Sequence, residues 1–283
     1  GLAPAAAVAA ARELEGRAYS LSPFDALRAI TAISEAAEKL CSENHASGHW
    51  QSVTSPASSL EIDKAVEAMK TSAHRIAAAV AAAHVLHGDA GFVAMAATTL
   101  VDTESARQED LDALLARTME LLRVKRQTFT PWSWVLLASA LGRLESTRGL
   151  EGCVLSAHGG VDAIRRSANK RFLAAFNRLF VEILSQFLEE DLGMLTDSYV
   201  TAYMGEKEAR RMLDRAAHLQ LGLRQDTVGA PQHRAAATRL AVAAKEKFQA
   251  IPTTLPPFVR DYFDKLVKDV GSWDLNDGRG PLP

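Results

Sequence analysis

Cysteine, proline and glycine are scarce in this chain of 283 residues, and each scarcity excludes a class of structure. The two cysteines, Cys41 and Cys153, lie far apart and outside any CxxC pair, so we expect neither a disulfide framework nor a structural zinc site. Seventeen glycines and ten prolines are too few for a low-complexity chain, and a hydrophobic content of 48% excludes wholesale disorder. The cysteine usage suits a reducing compartment.

A long apolar run and a large net charge are also lacking. The longest strongly apolar run, Ile76–Leu86, is 11 residues long, whereas a membrane span needs about 20. The net charge of -2 argues against a uniformly basic protein that coats nucleic acid. The uncharged, alanine-rich segment Gly1–Ala11 predicts a first helix, and the alternative is the remnant of a cleaved organellar presequence.

Motifs that would name a reaction are missing too: the chain has no GxGxxG, no P-loop and no HExxH. Cys41, His45 and His49 are metal-ligand types, but they fall in a Ser/Gly-containing stretch with no second ligand pair at finger spacing. Cys153 and His158 precede a Gly-Gly pair, which a glycine-rich connection explains. The sequence therefore predicts no catalytic residue, no metal site and no cofactor, and we expect a protein that is not an enzyme.

What the chain does have is helical periodicity and two similar helix starts. Ser22-Pro23-Phe24 and Thr130-Pro131-Trp132 each place a capping hydroxyl before proline at the first helical position. Their residue numbers differ by 108, which is three steps of about 36, the period of a helical hairpin. Ser58 and Glu61 have capping-box spacing and predict a third start, one such step after Ser22.

These patterns predict an all-α fold of stacked antiparallel helical hairpins, a degenerate α-solenoid. We expect a helical-repeat region at 1–148, a C-terminal helical region at 149–272 packed on it, and an extended tail at 273–283. Four glycines within Ser146–Gly160 mark the boundary. The strongest predicted helix, Val161–Glu189, carries a wide apolar stripe, which consists of Phe172, Phe176, Leu179, Phe180, Ile183, Leu184 and Phe187.

Positive charge is concentrated in one part of the chain. Between Arg123 and Arg178 there are ten Lys or Arg residues and three Asp or Glu, a local balance of 10 minus 3, or +7. Such a face suits contact with RNA phosphates, with Asn177 as a further polar contact; the alternative is a solvated face, or one paired with the acidic helix Asp102–Glu120. The residues predicted to contact phosphate are Arg123, Lys125, Arg126, Arg165, Arg166, Lys170, Arg171 and Arg178.

The two helix starts and the apolar stripes that follow them resemble organellar helical-repeat proteins of the heptatricopeptide and octotricopeptide kind. The stripe residues are Leu27, Ile30 and Ile33 after the first start and Val135, Ala138 and Leu141 after the second. The resemblance covers Tyr19–Met204; the starts near Ser58 and Asp89 lack the proline, and the segment from Ser146 departs from the period. In those families each repeat folds as a helical pair, and the arrays bind organellar RNA or belong to mitochondrial ribosomes.

Two functions of different class follow. The first is a non-catalytic structural component of a mitochondrial ribosome in the matrix, which binds neighbouring protein subunits and contacts rRNA phosphates through the basic residues. The second is a protein-only scaffold subunit of a mitochondrial respiratory or ATP synthase complex. The local +7 and the resemblance favour the first function, and the near-neutral total charge favours the second.

Overall fold

The computed structural model describes residues 4–47, 56–125, 128–148, 162–195, 199–200 and 204–222, together with Lys247, Pro257 and Asp261. These residues are almost entirely helical and include no strand, which confirms the all-α prediction for them. The predicted glycine-rich connection Ser146–Gly160 starts too early, because α6 continues to Arg148, and its remaining residues lie outside the described residues. The tail at 273–283 also lies outside them, as does, apart from Lys247, the alanine-rich segment Arg234–Ala250, whose pattern predicts a helix.

The helices have the following bounds. The α-helices are α1 (Pro4–Gly16), α2 (Pro23–Ser47), α3 (Pro56–Ala83), α4 (Ala90–Asp102), α5 (Gln108–Val124), α6 (Pro131–Arg148), α7 (Asp162–Ile183), α8 (Glu189–Met194) and α9 (Glu206–Gly222). Short 3₁₀ turns lie at Ala18–Ser20, Val85–His87 and Leu184–Gln186.

The chain divides into two compact units, unit 1 (Gly1–Thr118) and unit 2 (Met119–Pro283). The division falls inside α5, so this helix contributes its first part to one unit and its last part to the other. In unit 1 the long helix α3 packs against α1, α2 and both 3₁₀ turns, whereas in unit 2 α9 packs against α7 and α8. The predicted division into a helical-repeat region at 1–148 and a C-terminal helical region at 149–272 stays a prediction.

Both Pro-containing helix starts are confirmed. The Asp25 N–H donates to Ser22 Oγ at 3.2 Å, and the Ser133 N–H donates to Thr130 Oγ1 at the same distance. The Thr130 N–H donates in return to Ser133 Oγ at 2.9 Å, which completes a capping box. Each start therefore satisfies N–H groups that a helix terminus leaves without an intrahelical partner.

The third predicted start is corrected. Helix α3 begins at Pro56, so Ser58 lies inside its first turn. Helix α2 continues to Ser47, through part of the polar segment Cys41–Ser59 whose composition predicts a loop. Proline suits the first helical position because its φ is preset and its missing N–H has no partner there in any case. The step from Pro23 to Pro56 is therefore shorter than the predicted period of about 36.

The middle of the chain also differs from what its pattern predicts. The apolar spacing predicts a helix over Leu192–Met204, but α8 ends at Met194 and Leu195 is extended, with a second helical piece at Tyr199 and Val200. The helix begins earlier because Asp191 accepts the Leu188 N–H at 2.7 Å and so fixes the first turn there.

Among the described residues, several elements of unit 2 are similar to elements of unit 1, beginning with the turn before the Pro-started helix. In unit 1 the Ser20 hydroxyl donates to the Arg17 carbonyl at 2.8 Å. In unit 2 the Thr128 hydroxyl donates to the Lys125 carbonyl at 2.7 Å. This turn follows the turn of unit 1 by 108 residues, which is also the separation between Pro23 and Pro131. A helix precedes the turn and a Pro-started helix follows it in both units.

The second part of each unit repeats as well. The 3₁₀ turn that follows the long helix at Val85–His87 recurs at Leu184–Gln186. In unit 1 the Arg117 guanidinium donates from Nε and Nη2 to the Gly88 carbonyl at 3.0 and 2.8 Å. In unit 2 the Arg215 guanidinium donates in the same way to the Phe187 carbonyl, at 3.2 and 2.9 Å. The described parts of the two units therefore share a turn, a Pro-started helix, a 3₁₀ turn and a carbonyl that accepts two hydrogen bonds from an arginine.

The two copies fill their cores with different side chains. Three corresponding buried positions hold alanine in unit 1 and an aromatic residue in unit 2: Ala26, Ala77 and Ala81 against Trp134, Phe176 and Phe180. Alanine carries no side chain beyond Cβ, whereas an aromatic residue buries a large ring. The repeat is therefore one of architecture and hydrogen bonding, and the core residues do not match by type.

Candidate nucleic-acid interface

Helix α7 is fixed by an aromatic core on one of its faces. The residues of the predicted stripe are buried, but helix α7 ends at Ile183, so Leu184 and Phe187 lie in and after the following 3₁₀ turn and the predicted helix Val161–Glu189 is too long. The fully buried Trp134 of α6 stacks on two of these rings, with centroid distances of 4.9 Å to Phe176 and 4.5 Å to Phe180. Its Nε1–H donates to the Phe176 carbonyl at 3.3 Å. This packing determines which face of α7 points outward.

Tyr199 completes the aromatic core and forms a hydrogen bond with Asn177, which the sequence predicts as a polar contact to RNA. Its ring meets Trp134 edge-on at 5.1 Å, and its hydroxyl donates to Asn177 Oδ1 at 2.6 Å. Burial raises the pKa of the Tyr199 phenol well above its ordinary value of 10.0, so the group stays a neutral donor. The side-chain carbonyl of Asn177 is thus used inside unit 2.

The outward face of α7 carries arginine. Arg171 and Arg178 are both exposed and lie seven residues apart, about two turns and 10 Å along the helix axis. Ala174 is exposed between them, whereas the neighbouring Phe172 and Leu179 are buried. Helix α7 therefore has an aromatic inner face, and its outer face carries the exposed Arg171 and Arg178 together with the exposed Glu182.

Two further predicted phosphate contacts lie at the end of α5. Arg123, in the last turn of α5, and Lys125, immediately after that helix, are exposed. Four of the eight predicted residues are thus exposed cations of unit 2: Arg123, Lys125, Arg171 and Arg178. Arg165, Arg166 and Lys170 belong to α7, but their side chains, and Arg126 entirely, lie outside the described residues.

An ion pair in unit 1 has no signal in the sequence. Glu15 of α1 accepts a hydrogen bond from the Ser72 hydroxyl at 2.7 Å and forms a salt bridge with Arg75, both on α3. The Arg75 and Ser72 hydrogen bonds hold the pKa of the Glu15 carboxyl below its ordinary value of 4.5. The partners are 57 and 60 residues from Glu15, so only the fold brings them together.

Two titratable groups, the buried Asp110 and the exposed Lys247, form hydrogen bonds with the backbone. Asp110, near the start of α5, accepts the Arg107 N–H at 2.9 Å, and burial raises the pKa of its carboxyl. Lys247 donates to the Val200 and Met204 carbonyls at 2.8 and 2.9 Å, and burial lowers the pKa of its amine. These contacts give both groups a structural role at helix ends.

The described residues contain neither a cluster of metal ligands nor a membrane-spanning helix. No group of three His, Cys, Asp or Glu side chains close enough to hold a metal ion occurs among the residues with described placement. Cys41 is an exposed thiol at the solvent face of α2, and His49, Cys153 and His158 lie outside the described residues. Within the described helices, none is long and apolar enough to cross a bilayer.

Comparisons with protein-family models, with curated proteins and with solved structures found no match for this chain.

Proposed function

We propose that the protein is a non-catalytic structural component of a mitochondrial ribosome, which binds neighbouring subunits and contacts rRNA phosphates through unit 2. The observation that supports this proposal is the two-faced helix α7, whose exposed Arg171 and Arg178 lie opposite a buried aromatic stripe. Guanidinium groups donate in pairs to phosphate oxygens, which makes arginine well suited to this contact. Localisation in the matrix follows from the assembly and is part of the proposal.

The expected contact is with the RNA backbone. Phosphate contacts position a protein on RNA without reading its sequence, and they weaken as salt rises because bound counterions are released. A total charge of -2 with a local balance of +7 confines such binding to one part of the molecule. A stack of antiparallel helical hairpins, a degenerate α-solenoid, would supply the extended surface for protein neighbours.

The decisive experiment combines sedimentation with cross-linking. The tagged chain is expected to co-sediment with ribosomal particles from mitochondria, and ultraviolet cross-links to RNA should fall in peptides between Arg123 and Arg178. Changing Arg171 and Arg178 together to Glu should remove most of these cross-links. The matched control is Arg28→Glu in unit 1, where the side chain is 84% exposed and lies outside the basic segment. Equal loss in both variants would refute the assignment of the contact to α7.

A second candidate function has its own observation, a set of exposed apolar side chains at one end of unit 1. Phe24 at the start of α2 lies edge-on to Phe92 at the start of α4, with centroids 5.8 Å apart, so these two helix starts are neighbours. Tyr19 and Leu86, in the 3₁₀ turns that precede them, are 75% and 52% exposed. Exposed side chains of this kind suit a protein-only scaffold subunit of a respiratory or ATP synthase complex.

The same fractionation separates the two functions. Migration of the chain with a detergent-extracted respiratory or ATP synthase complex, and absence from ribosomal particles, would establish the scaffold and exclude the ribosomal component. In that case Tyr19→Ser with Leu86→Ser should release the chain from the complex. Arg171→Glu should leave it bound.

A further inference from the structure

We propose that the outer face of α7 binds the sugar-phosphate backbone of an RNA double helix, with Arg171 and Arg178 each contacting one phosphate. The inference rests on the proposed rRNA contact and names the kind of RNA that this face engages. Four described positions of α7 follow one another at helical spacing and are all exposed: Arg171, Ala174, Arg178 and Glu182. The buried aromatic stripe lies on the opposite side of the helix.

The register between α7 and its counterpart in unit 1, α3, is set by the 3₁₀ turns that follow the two helices. These turns begin at Val85 and Leu184, which lie 99 residues apart. Arg171 and Arg178 therefore correspond to positions 72 and 79 of α3. Four positions that are buried in both helices support this register: Ala73, Ala77, Val80 and Ala81 in α3 and Phe172, Phe176, Leu179 and Phe180 in α7.

In unit 1 the corresponding face is covered by a helix. Ser72 and Ala79 are both buried, and the Ser72 hydroxyl donates to Glu15 of α1 at 2.7 Å. Side chains of this small size let α1 lie close to α3. Arginine at both positions of α7 excludes a helix packed as closely, because two guanidinium groups would have to be buried. The face of α7 is therefore suited to a charged ligand and not to a helix in the place of α1.

The side chains of this face favour the backbone of a duplex over a single strand. Arg171 and Arg178 lie about 10 Å apart along the helix axis, so their guanidinium groups can engage separate phosphates. Ala174 lies between them and carries no side chain beyond Cβ, which lets the helix approach the RNA backbone. The described positions of the face hold no aromatic ring on which an unpaired base could stack, whereas proteins that bind single strands use such rings. Duplex RNA is recognised mostly by shape and by phosphate and 2′-hydroxyl contacts.

Toward the C-terminal end of α7, the contact ends at Glu182. Its exposed carboxylate lies one turn beyond Arg178, where it repels a further phosphate. The charge at position 182 therefore limits how far the RNA backbone follows the helix.

Two RNA probes test the inference on the intact chain, a fluorescent RNA duplex and an oligouridylate of equal length. The duplex should bind more tightly, and changing its sequence should leave its affinity unaltered because phosphate contacts carry no sequence information. At 0.1 M salt, Arg171→Glu and Arg178→Glu should each weaken duplex binding by about eightfold and lower the salt slope by about 0.9, as expected for one phosphate contact. Glu182→Lys should raise the slope by about the same amount. The matched control is Arg28→Glu in unit 1, where the side chain is 84% exposed, and it should leave binding unchanged.

The outcomes separate this inference from the proposed function. Oligouridylate binding at least as tight as duplex binding, and weakened by Arg171→Glu and Arg178→Glu, would refute the duplex and leave the proposed rRNA contact standing. Duplex binding that neither variant weakens would refute the assignment to α7. Binding of neither probe would refute the inference, and cross-links from α7 to a neighbouring subunit would then assign this face to protein. Sedimentation with ribosomal particles decides the proposed function independently of these results.

Discussion

Replacing Trp134 with alanine should destabilise unit 2 more than any surface change in the chain. The side chain is fully buried, stacks on Phe176 and Phe180, and meets Phe187 at 5.9 Å and Tyr199 at 5.1 Å between centroids. Removing a buried aromatic side chain costs about 3–5 kcal/mol through lost burial and the cavity that remains. The four ring contacts place Trp134→Ala in the upper part of that range.

The assay is thermal and urea unfolding followed by circular dichroism, with the transition of unit 2 fitted separately because two units need not unfold together. A loss of about 4 kcal/mol should lower its midpoint by about 8–16 °C. Trp134→Phe keeps a stacking ring but removes the Nε1–H donor to the Phe176 carbonyl, so it should cost less than Trp134→Ala.

Trp132 provides a matched control two residues away. It is 41% exposed in the same first turn of α6, and Trp132→Ala should cost about 1 kcal/mol or less. If Trp134→Ala cost no more than Trp132→Ala, the aromatic core would not hold α6 against α7. The orientation of the basic face of α7 would then lose its physical basis.

Three further predictions concern the hydrogen bonds and close contacts of the repeat. Glu15→Gln should cost about 0.5–1 kcal/mol at pH 7. Because the folded-state pKa of Glu15 is lowered, its contribution is present above the ordinary value of 4.5 and is lost as pH falls through the folded pKa, so variant and wild type should converge in acid unfolding series. Arg117→Met and Arg215→Met should each cost about 1–3 kcal/mol in urea titrations, since each loses two hydrogen bonds to one backbone carbonyl; a loss confined to one variant would contradict the structural equivalence of the two units. Gly88→Ala should cost about 1–3 kcal/mol through steric overlap, because its Cβ would lie 2.6 Å from Phe92 Cδ1; the corresponding residue Phe187 has a similar backbone conformation, so an unchanged midpoint would show that the Phe92 ring moves aside.

Local chemistry explains which parts of the fold the sequence could predict. The starts at Pro23 and Pro131 were predictable because the capping hydroxyl, the proline and the apolar stripe all lie within one or two turns. The start of α3 at Pro56 was missed because the capping-box spacing at Ser58 gave a competing local signal. Each of these signals extends over a few residues only, so it predicts where a helix begins but not which other helix it packs against.

Contacts between distant residues account for what the sequence could not predict. The repeat is recognisable from the Arg117 and Arg215 hydrogen bonds to the chain after a 3₁₀ turn, at separations of 29 and 28 residues. The residue types at buried positions do not reveal this similarity, because Ala26 corresponds to Trp134 and the two side chains are of different types. For the candidate site, the count of charges located the basic segment.

Helix α5 contributes residues to both units, so a change within this helix bears on both of them. Its first part supplies Arg117 to the Gly88 carbonyl, and the residue after its end supplies the Lys125 carbonyl to the turn before α6. Cutting the chain between Thr118 and Met119 would therefore break a helix in its interior and deprive unit 2 of part of its first helix. Fragments intended to fold separately should overlap, with each retaining the whole of Gln108–Val124. A substitution that melts this helix should weaken two copies of the repeat at once.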